Sequence, residues 1–381
     1  MSIILFVVLD VWEKGLRKNL MSETNRFFMY TPAIKFENDI LRIIDQTLLP
    51  KRLQYINLKT LENSIDAIRH LKVRGAPAIG IVAAYTMYLK AKKLIKESLD
   101  DLTRDMDQTA VLLSSARPTA VNLSWAINRI RSIYQENKQE SVPTIVNKIK
   151  LEAIRIHEED REACQKMGEY GLSVVSNPCN ILTHCNTGSL ATGGWGTALG
   201  LVYAAKEHGY KINVFVDETR PLGQGGRLTF WELMQNKIPC TLITDSTAGS
   251  LMKSGDIDLV IFGADRIAAN GDVANKIGTY TVSAMAHQSK IPCYAVAPTS
   301  TFDLSLQDGK DIPIEERSPR EILHIYGYNF NLPEIAKVYN PAFDVTPAHY
   351  LTGIITEAGI IYQPTKEKIY KTIIPFIKEK K

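Results

Sequence analysis

Asn180-Ile-Leu-Thr-His-Cys-Asn-Thr-Gly-Ser-Leu-Ala-Thr-Gly-Gly-Trp-Gly196 opens as a short apolar run, ends that run at the thiol of Cys185 and breaks at once into a glycine-rich turn. Asp258-Leu-Val-Ile-Phe-Gly-Ala-Asp-Arg-Ile-Ala-Ala-Asn-Gly-Asp272 repeats the layout with a carboxylate at Asp265. Short apolar runs bounded by turn signals read as strands buried on both faces. The spacing predicts such strands at 181–184, 212–217, 240–244, 259–262 and 292–297. Helical segments at about 197–208, 227–235, 248–253 and 276–289 separate them. Strand-helix alternation defines an α/β fold with a doubly wound parallel sheet. Ligands of such sheets sit outside the carboxyl ends of the strands. Cys185 and Asp265, far apart in sequence, are therefore expected at one site, where a thiol and a carboxylate suit proton-transfer chemistry.

Working outward, residues from about 38 to 160 read as mostly helical. Leu61, Ile65, Ile68 and Leu71 recur at helical spacing, and 79–94 and 120–134 look alike. Val142-Pro143-Thr144 opens a long amphipathic helix that Asn177-Pro178 stops. The expected organisation is a smaller, mainly helical N-terminal domain over 21–165 and a catalytic sheet domain over 166–381. Ile3-Ile-Leu-Phe-Val-Val-Leu9 is too short to span a membrane, and no basic residue precedes it as in a signal peptide. Residues 1–20 are expected to be an extension outside the core, upstream of a start at Met21.

The chain has 381 residues, 45% hydrophobic and 23% charged, within the range of globular proteins and long enough for two domains. Its net charge of +4 is small for that length and gives no support for a nucleic-acid or membrane partner. Five cysteines contain no CxxC pair, and the seven histidines form no ligand pair at helical spacing. A reducing cytoplasm, no structural disulfide and no metal are expected.

Cys185 ends a strand before a Gly-rich loop expected to open a helix, where backbone N–H groups favour a thiolate. The remaining cysteines, Cys164, Cys179, Cys240 and Cys293, read as small buried hydrophobes. Asp265 follows an apolar strand, where partial desolvation raises a carboxyl pKa toward the range useful for acid-base work. The same position suits a helix cap, and spacing alone does not choose. Arg74-Gly75-Ala76-Pro77, Arg117-Pro118-Thr119 and Asn275-Lys276 each place a cation where a helix is expected to start, which suits a phosphate. Gln224, in the Gly-rich stretch 217–227, is placed to bond substrate hydroxyls. Gly223-x-Gly225-Gly226 lacks the dinucleotide spacing. His184 precedes Cys185, so strand alternation turns it to the opposite face.

Taken together, Lys72–Gly80, Ser115–Trp125, His184–Thr192, Glu218–Pro221, Gly263–Ile267, Ala274–Tyr280 and Ile312–Arg317 resemble the methylthioribose-1-phosphate isomerase family. That family is related to ribose-1,5-bisphosphate isomerases and to regulatory subunits of translation initiation factor 2B. The resemblance runs over roughly residues 30–365 in the family's order. It implies a Rossmann-like C-terminal domain, a homodimer, a sugar-phosphate substrate and no cofactor. Cys185 and Asp265 match the catalytic pair. Arg74, Gly75, Ala76, Arg117, Asn275 and Lys276 match substrate and phosphate contacts, and Gln224 a sugar-binding glutamine. The activity implied is aldose–ketose isomerisation in methionine salvage. A ribose-1,5-bisphosphate isomerase and a non-catalytic regulatory subunit are the alternatives.

Overall fold

Seven strands form the main sheet, in the spatial order Gly359–Tyr362, Gly353–Thr356, Cys293–Val296, Leu259–Phe262, Cys179–His184, Ile212–Asp217, Cys240–Ile243. The computed structural model describes residues 31–379 except 118, 326, 331, 332 and 334–336, and all of them belong to one unit, Thr31–Lys381. Six of the strands are parallel and only the Gly359–Tyr362 edge runs antiparallel. In chain order the parallel set reads 3-2-1-4-5-6, the Rossmann arrangement. Leu259–Phe262 and Cys293–Val296 are buried at every position, as sheets covered on both faces require. The expected doubly wound sheet is therefore present, with strand bounds shifted by a residue or two.

Three parts of the architecture differ from the expectation. Gly353–Thr356 and Gly359–Tyr362, at one edge of the main sheet, are strands where none was predicted. Ile34–Glu37, Ile40–Ile44 and Tyr55–Leu58 form an antiparallel three-stranded sheet ahead of the helices, where mostly helix was expected. The segment expected to start a helix at Lys276 is instead the strand Val273–Lys276, paired antiparallel with Arg266–Ala268 and Phe343–Thr346. Its helix begins only at Thr279, because Gly278 at φ 103 breaks the chain first. The predicted extension at 1–20 lies outside the described residues.

The helices of the N-terminal half are Leu61–Arg69, Ala76–Lys93, Leu99–Ser114, Val121–Glu136 and the long Val142–Gly171. Thr60 and Ser98 cap two of them by accepting from the backbone N–H groups of Asn63 and Asp101. Ala76–Lys93 is buried almost all round, so it forms the spine against which the others pack. The core around it runs from Ala33 to Ile156 and takes in Leu190 and Leu228 from the sheet half. A second core, Leu182 to Ile373, fills one side of the sheet.

Candidate active site

The strand order reverses between Cys179–His184 and Leu259–Phe262, which neighbour each other while their successors lie on opposite sides. A crevice opens at that switch point in sheets of this kind. Cys185 follows the first strand directly, and Asp265 follows the second after Gly263-Ala264. Both line one cavity, together with Leu71, Arg74, Gly75, Arg117, Leu222, Gln224, Lys276, Arg317, Ala342 and Phe343. It is a tight cavity, with about 30 Å³ of open space.

The backbone of Cys185 sits in the left-handed region at φ 65, which a side chain seldom tolerates. Two hydroxyls hold it there. Cys185 N–H donates to Thr219 Oγ1 at 2.9 Å, and Thr229 Oγ1 donates to the Cys185 carbonyl at 2.6 Å. Strain held in place by surrounding bonds is characteristic of functional positions. Cys185 is only 7% exposed, and the next α-helix begins at Ala198, so it does not stand at a helix N-terminus as expected. The intervening loop packs inward instead. Asn186 Nδ2, Ser189 N–H and Ser189 Oγ all donate to the buried carboxylate of Glu232, at 2.6, 2.7 and 2.8 Å.

Three cations face this thiol and Asp265. Arg74 donates through both terminal nitrogens to Asn186, one of them to its carbonyl at 2.7 Å, which fixes the guanidinium to the thiol's own loop. Arg117 is buried, 3.3 Å from Glu315, with its guanidinium 5.8 Å from the Phe343 ring. Lys276 Nζ stands 4.6 Å over the same ring. Burial holds the Lys276 ammonium below its ordinary pKa, and the neighbouring Cys185 and Asp265 oppose that fall. Burial lifts Asp265 above the ordinary aspartate range against the pull of Arg117, Lys276 and Arg74. A carboxyl so placed keeps its proton to higher pH than a solvated one, as a general acid requires.

Of the remaining predicted residues, Gln224 is 4% exposed, and its Oε1 is buried without a hydrogen-bond partner. Gly75, at φ 94, lies so close to the Cys185 loop that a Cβ would stand 2.5 Å from the Ala191 carbonyl oxygen. Ala76 and Asn275 are off the wall. Ala76 is the buried first residue of its helix, and Asn275 Nδ2 donates to Thr279 Oγ1 at 2.9 Å. The sequence reading missed the apolar wall of Leu71, Leu222, Ala342 and Phe343, whose residue types carry no chemical signature. It also assigned no role to Arg317, which is braced by Glu315 at 2.9 Å and Glu321 at 2.7 Å. The Glu-Glu-Arg run at 315–317 was the available signal.

Beside the cavity, His184, Asp217 and Asp245 bring ligand-type atoms within 4.8 Å of one another. Their hydrogen bonds are internal. The His184 ring bonds Asp217 and the Ile277 carbonyl, and Asp245 accepts the backbone N–H groups of Thr219 and Arg220.

Fold and site together define an α/β protein of Rossmann topology with a thiol, a carboxyl and four cations around one small cavity. The initiation factor 2 subunit family matches residues 72–363. The methylthioribose-1-phosphate isomerase of Geotalea uraniireducens is 49% identical over 329 residues, covering 86% of this chain and 95% of its own length. That of Acetivibrio thermocellus is 49% identical over 338 residues, with 89% and 98% covered. Among solved structures, 5-methylthioribose 1-phosphate isomerase from Pyrococcus horikoshii superposes with a TM-score of 0.83 at 42% identity, covering 91% of this chain and 97% of that one. An A. fulgidus structure described as translation initiation factor eIF-2B, subunit delta, gives 0.78 at 44% identity, covering 91% and 100%. This chain belongs to the initiation factor 2 subunit family, on its methylthioribose-1-phosphate isomerase branch.

Proposed function

We propose that this protein converts 5-methylthioribose 1-phosphate to 5-methylthioribulose 1-phosphate, an aldose–ketose isomerisation of methionine salvage. The observation that carries the reading is Cys185 and Asp265 on one wall-to-wall cavity, ringed by Arg74, Arg117 and Lys276. Near-half identity to the isomerases over most of both chains supports the substrate.

A sugar phosphorylated at C1 is a locked acetal, so the ring must be opened by acid before hydrogen moves from C2 to C1. Asp265, protonated, gives its proton to the ring oxygen, and the C1–O bond breaks to leave a hydroxyl on C4. Cys185, as thiolate beside the Lys276 ammonium, takes the C2 proton and returns it to C1. The C2 hydroxyl becomes the ketone as its proton passes back to Asp265. The cations bind the phosphate, and Gln224 Oε1 accepts from a sugar hydroxyl. Leu71, Leu222 and Phe343 offer an apolar surface for the methylthio group. The same reading includes a homodimer in a reducing cytoplasm, in keeping with five free cysteines.

The test is turnover of purified protein on 5-methylthioribose 1-phosphate and on ribose 1,5-bisphosphate in parallel. Preference for the first is expected. Preference for the second would move the protein to the sister isomerase. Turnover of neither would favour a non-catalytic role, like that of the initiation factor subunit as which the A. fulgidus structure is described. Running the reaction in deuterium oxide separates the routes for hydrogen, since label at C1 excludes a pure hydride shift.

A further inference from the structure

The ring of His184 lies at a junction that the chemistry above does not use. Its side chain is fully buried. One ring nitrogen, Nδ1, stands 2.9 Å from Asp217 Oδ2, and the other, Nε2, stands 2.9 Å from the Ile277 carbonyl oxygen. A carbonyl can only accept, so Nε2 carries a hydrogen. Nδ1 faces a carboxylate, and imidazole is the stronger base of that pair, so the shared proton rests on the ring. A neutral histidine has one N–H and can satisfy only one of these acceptors as donor.

The three anchors are spread over the active site. His184 adjoins Cys185. Asp217 ends the next strand and leads into the loop of Thr219, which accepts from the Cys185 N–H, and of Gln224. Ile277 follows Lys276. The packing is close, for a Cβ on Gly278 would lie 2.8 Å from His184 Cε1. Carboxyls stand on two sides of the ring, and the Lys276 ammonium lies near Asp344. Asp217 and Asp245 face the ring from one side, and Asp344, which accepts from Gly278 and Tyr280 N–H, acts on it from the other. Burial opposes a charge on the ring, but Asp217, Asp245 and the Ile277 carbonyl together outweigh it and raise its pKa.

We propose that His184 is a positioning residue: a doubly protonated ring that clamps the Cys185 strand end, the Gln224 loop and the Lys276 strand end in register. The kinetic arm of its test rests on the isomerase reading, and the spectroscopic arm does not. In ¹⁵N-histidine-labelled, substrate-free protein, with the His184 signals assigned by their loss in His184→Gln, both ring nitrogens should resonate as protonated at pH 7.5. In Asp217→Asn, which keeps an acceptor but removes the charge, the ring should titrate lower by about one pH unit or more. In His184→Gln, whose two N–H donors share one nitrogen and so cannot reproduce the two separate ring nitrogens that reach Asp217 and Ile277, kcat should fall about tenfold or more, the scale of a misplaced catalytic group. A ring with one bare nitrogen at pH 7.5 overturns the proposal whatever the enzyme acts on. A folded His184→Gln with undiminished kcat overturns it as well. A doubly protonated ring in a protein that turns over neither sugar phosphate would leave the clamp standing and remove the isomerase reading alone.

Discussion

At the residue scale, the proposed reaction has Cys185 and Asp265 divide the work by environment. Cys185→Ser keeps the shape of the site but substitutes a far weaker acid, so kcat should drop about 10²-fold or more, measured by steady-state turnover of a variant with unchanged circular dichroism. Asp265→Asn should lower kcat with little change in KM, because the amide keeps the bonds of the ground state and cannot give a proton. The pH profile follows from the direction of the Asp265 shift. Burial raises its pKa, so the competent acid form persists above the usual carboxylate range and is lost as pH rises through the folded value. The alkaline fall in kcat of the wild type should therefore be absent from the residual rate of Asp265→Asn. Their meeting at one cavity was legible in the sequence because each follows an apolar run with a reactive group. The left-handed backbone of Cys185 was not, since no local pattern marks a side chain forced into that region by hydroxyls from Thr219 and Thr229.

At the scale of elements, the parallel strands were readable because β-branched runs alternate with helical spacing. The strand Val273–Lys276 was not. Val-Ala-Asn-Lys has no strand period, and it pairs with Phe343–Thr346, a partner that only the assembled fold supplies. Lys276 consequently reaches the cavity from a strand end and not from a helix start. The approach of the Ala76–Lys93 helix to the Cys185 loop is another feature of the assembled fold. Gly75→Ala should destabilise the protein and lower kcat, because the added carbon meets a backbone oxygen that cannot yield cheaply. Thermal melting with kinetics of the surviving fold checks both. The same loop is anchored from the long helix by Asp160, whose Oδ2 accepts from Gly193 N–H at 2.6 Å. Burial pushes the Asp160 carboxyl up to about 7. A raised carboxyl pKa means that folding free energy is lost as pH climbs from the unfolded value toward 7. Asp160→Asn should thus raise Tm at pH 8 relative to the wild type and change it little near pH 4, by calorimetry at the two pH values.

At the scale of the whole molecule, the cavity draws on residues from Leu71 to Phe343, so a bound ligand should be felt by the entire fold. Product at about a hundredfold excess over its Kd should stabilise the native state by about 2.7 kcal/mol, visible as a rise in Tm that inorganic phosphate reproduces in part. The two-core layout has a bearing on how the chain comes into being. Leu190 and Leu228 are buried in a core built mainly from Ala33 to Ile156, and Phe343 reaches the cavity only near the end of the chain. On the ribosome, the thiol of Cys185 is thus synthesised well before the aromatic wall that will face it. A chain truncated near residue 300 would display this thiol without its pocket, open to oxidants and alkylators that the finished fold, in which Cys185 is buried, holds off.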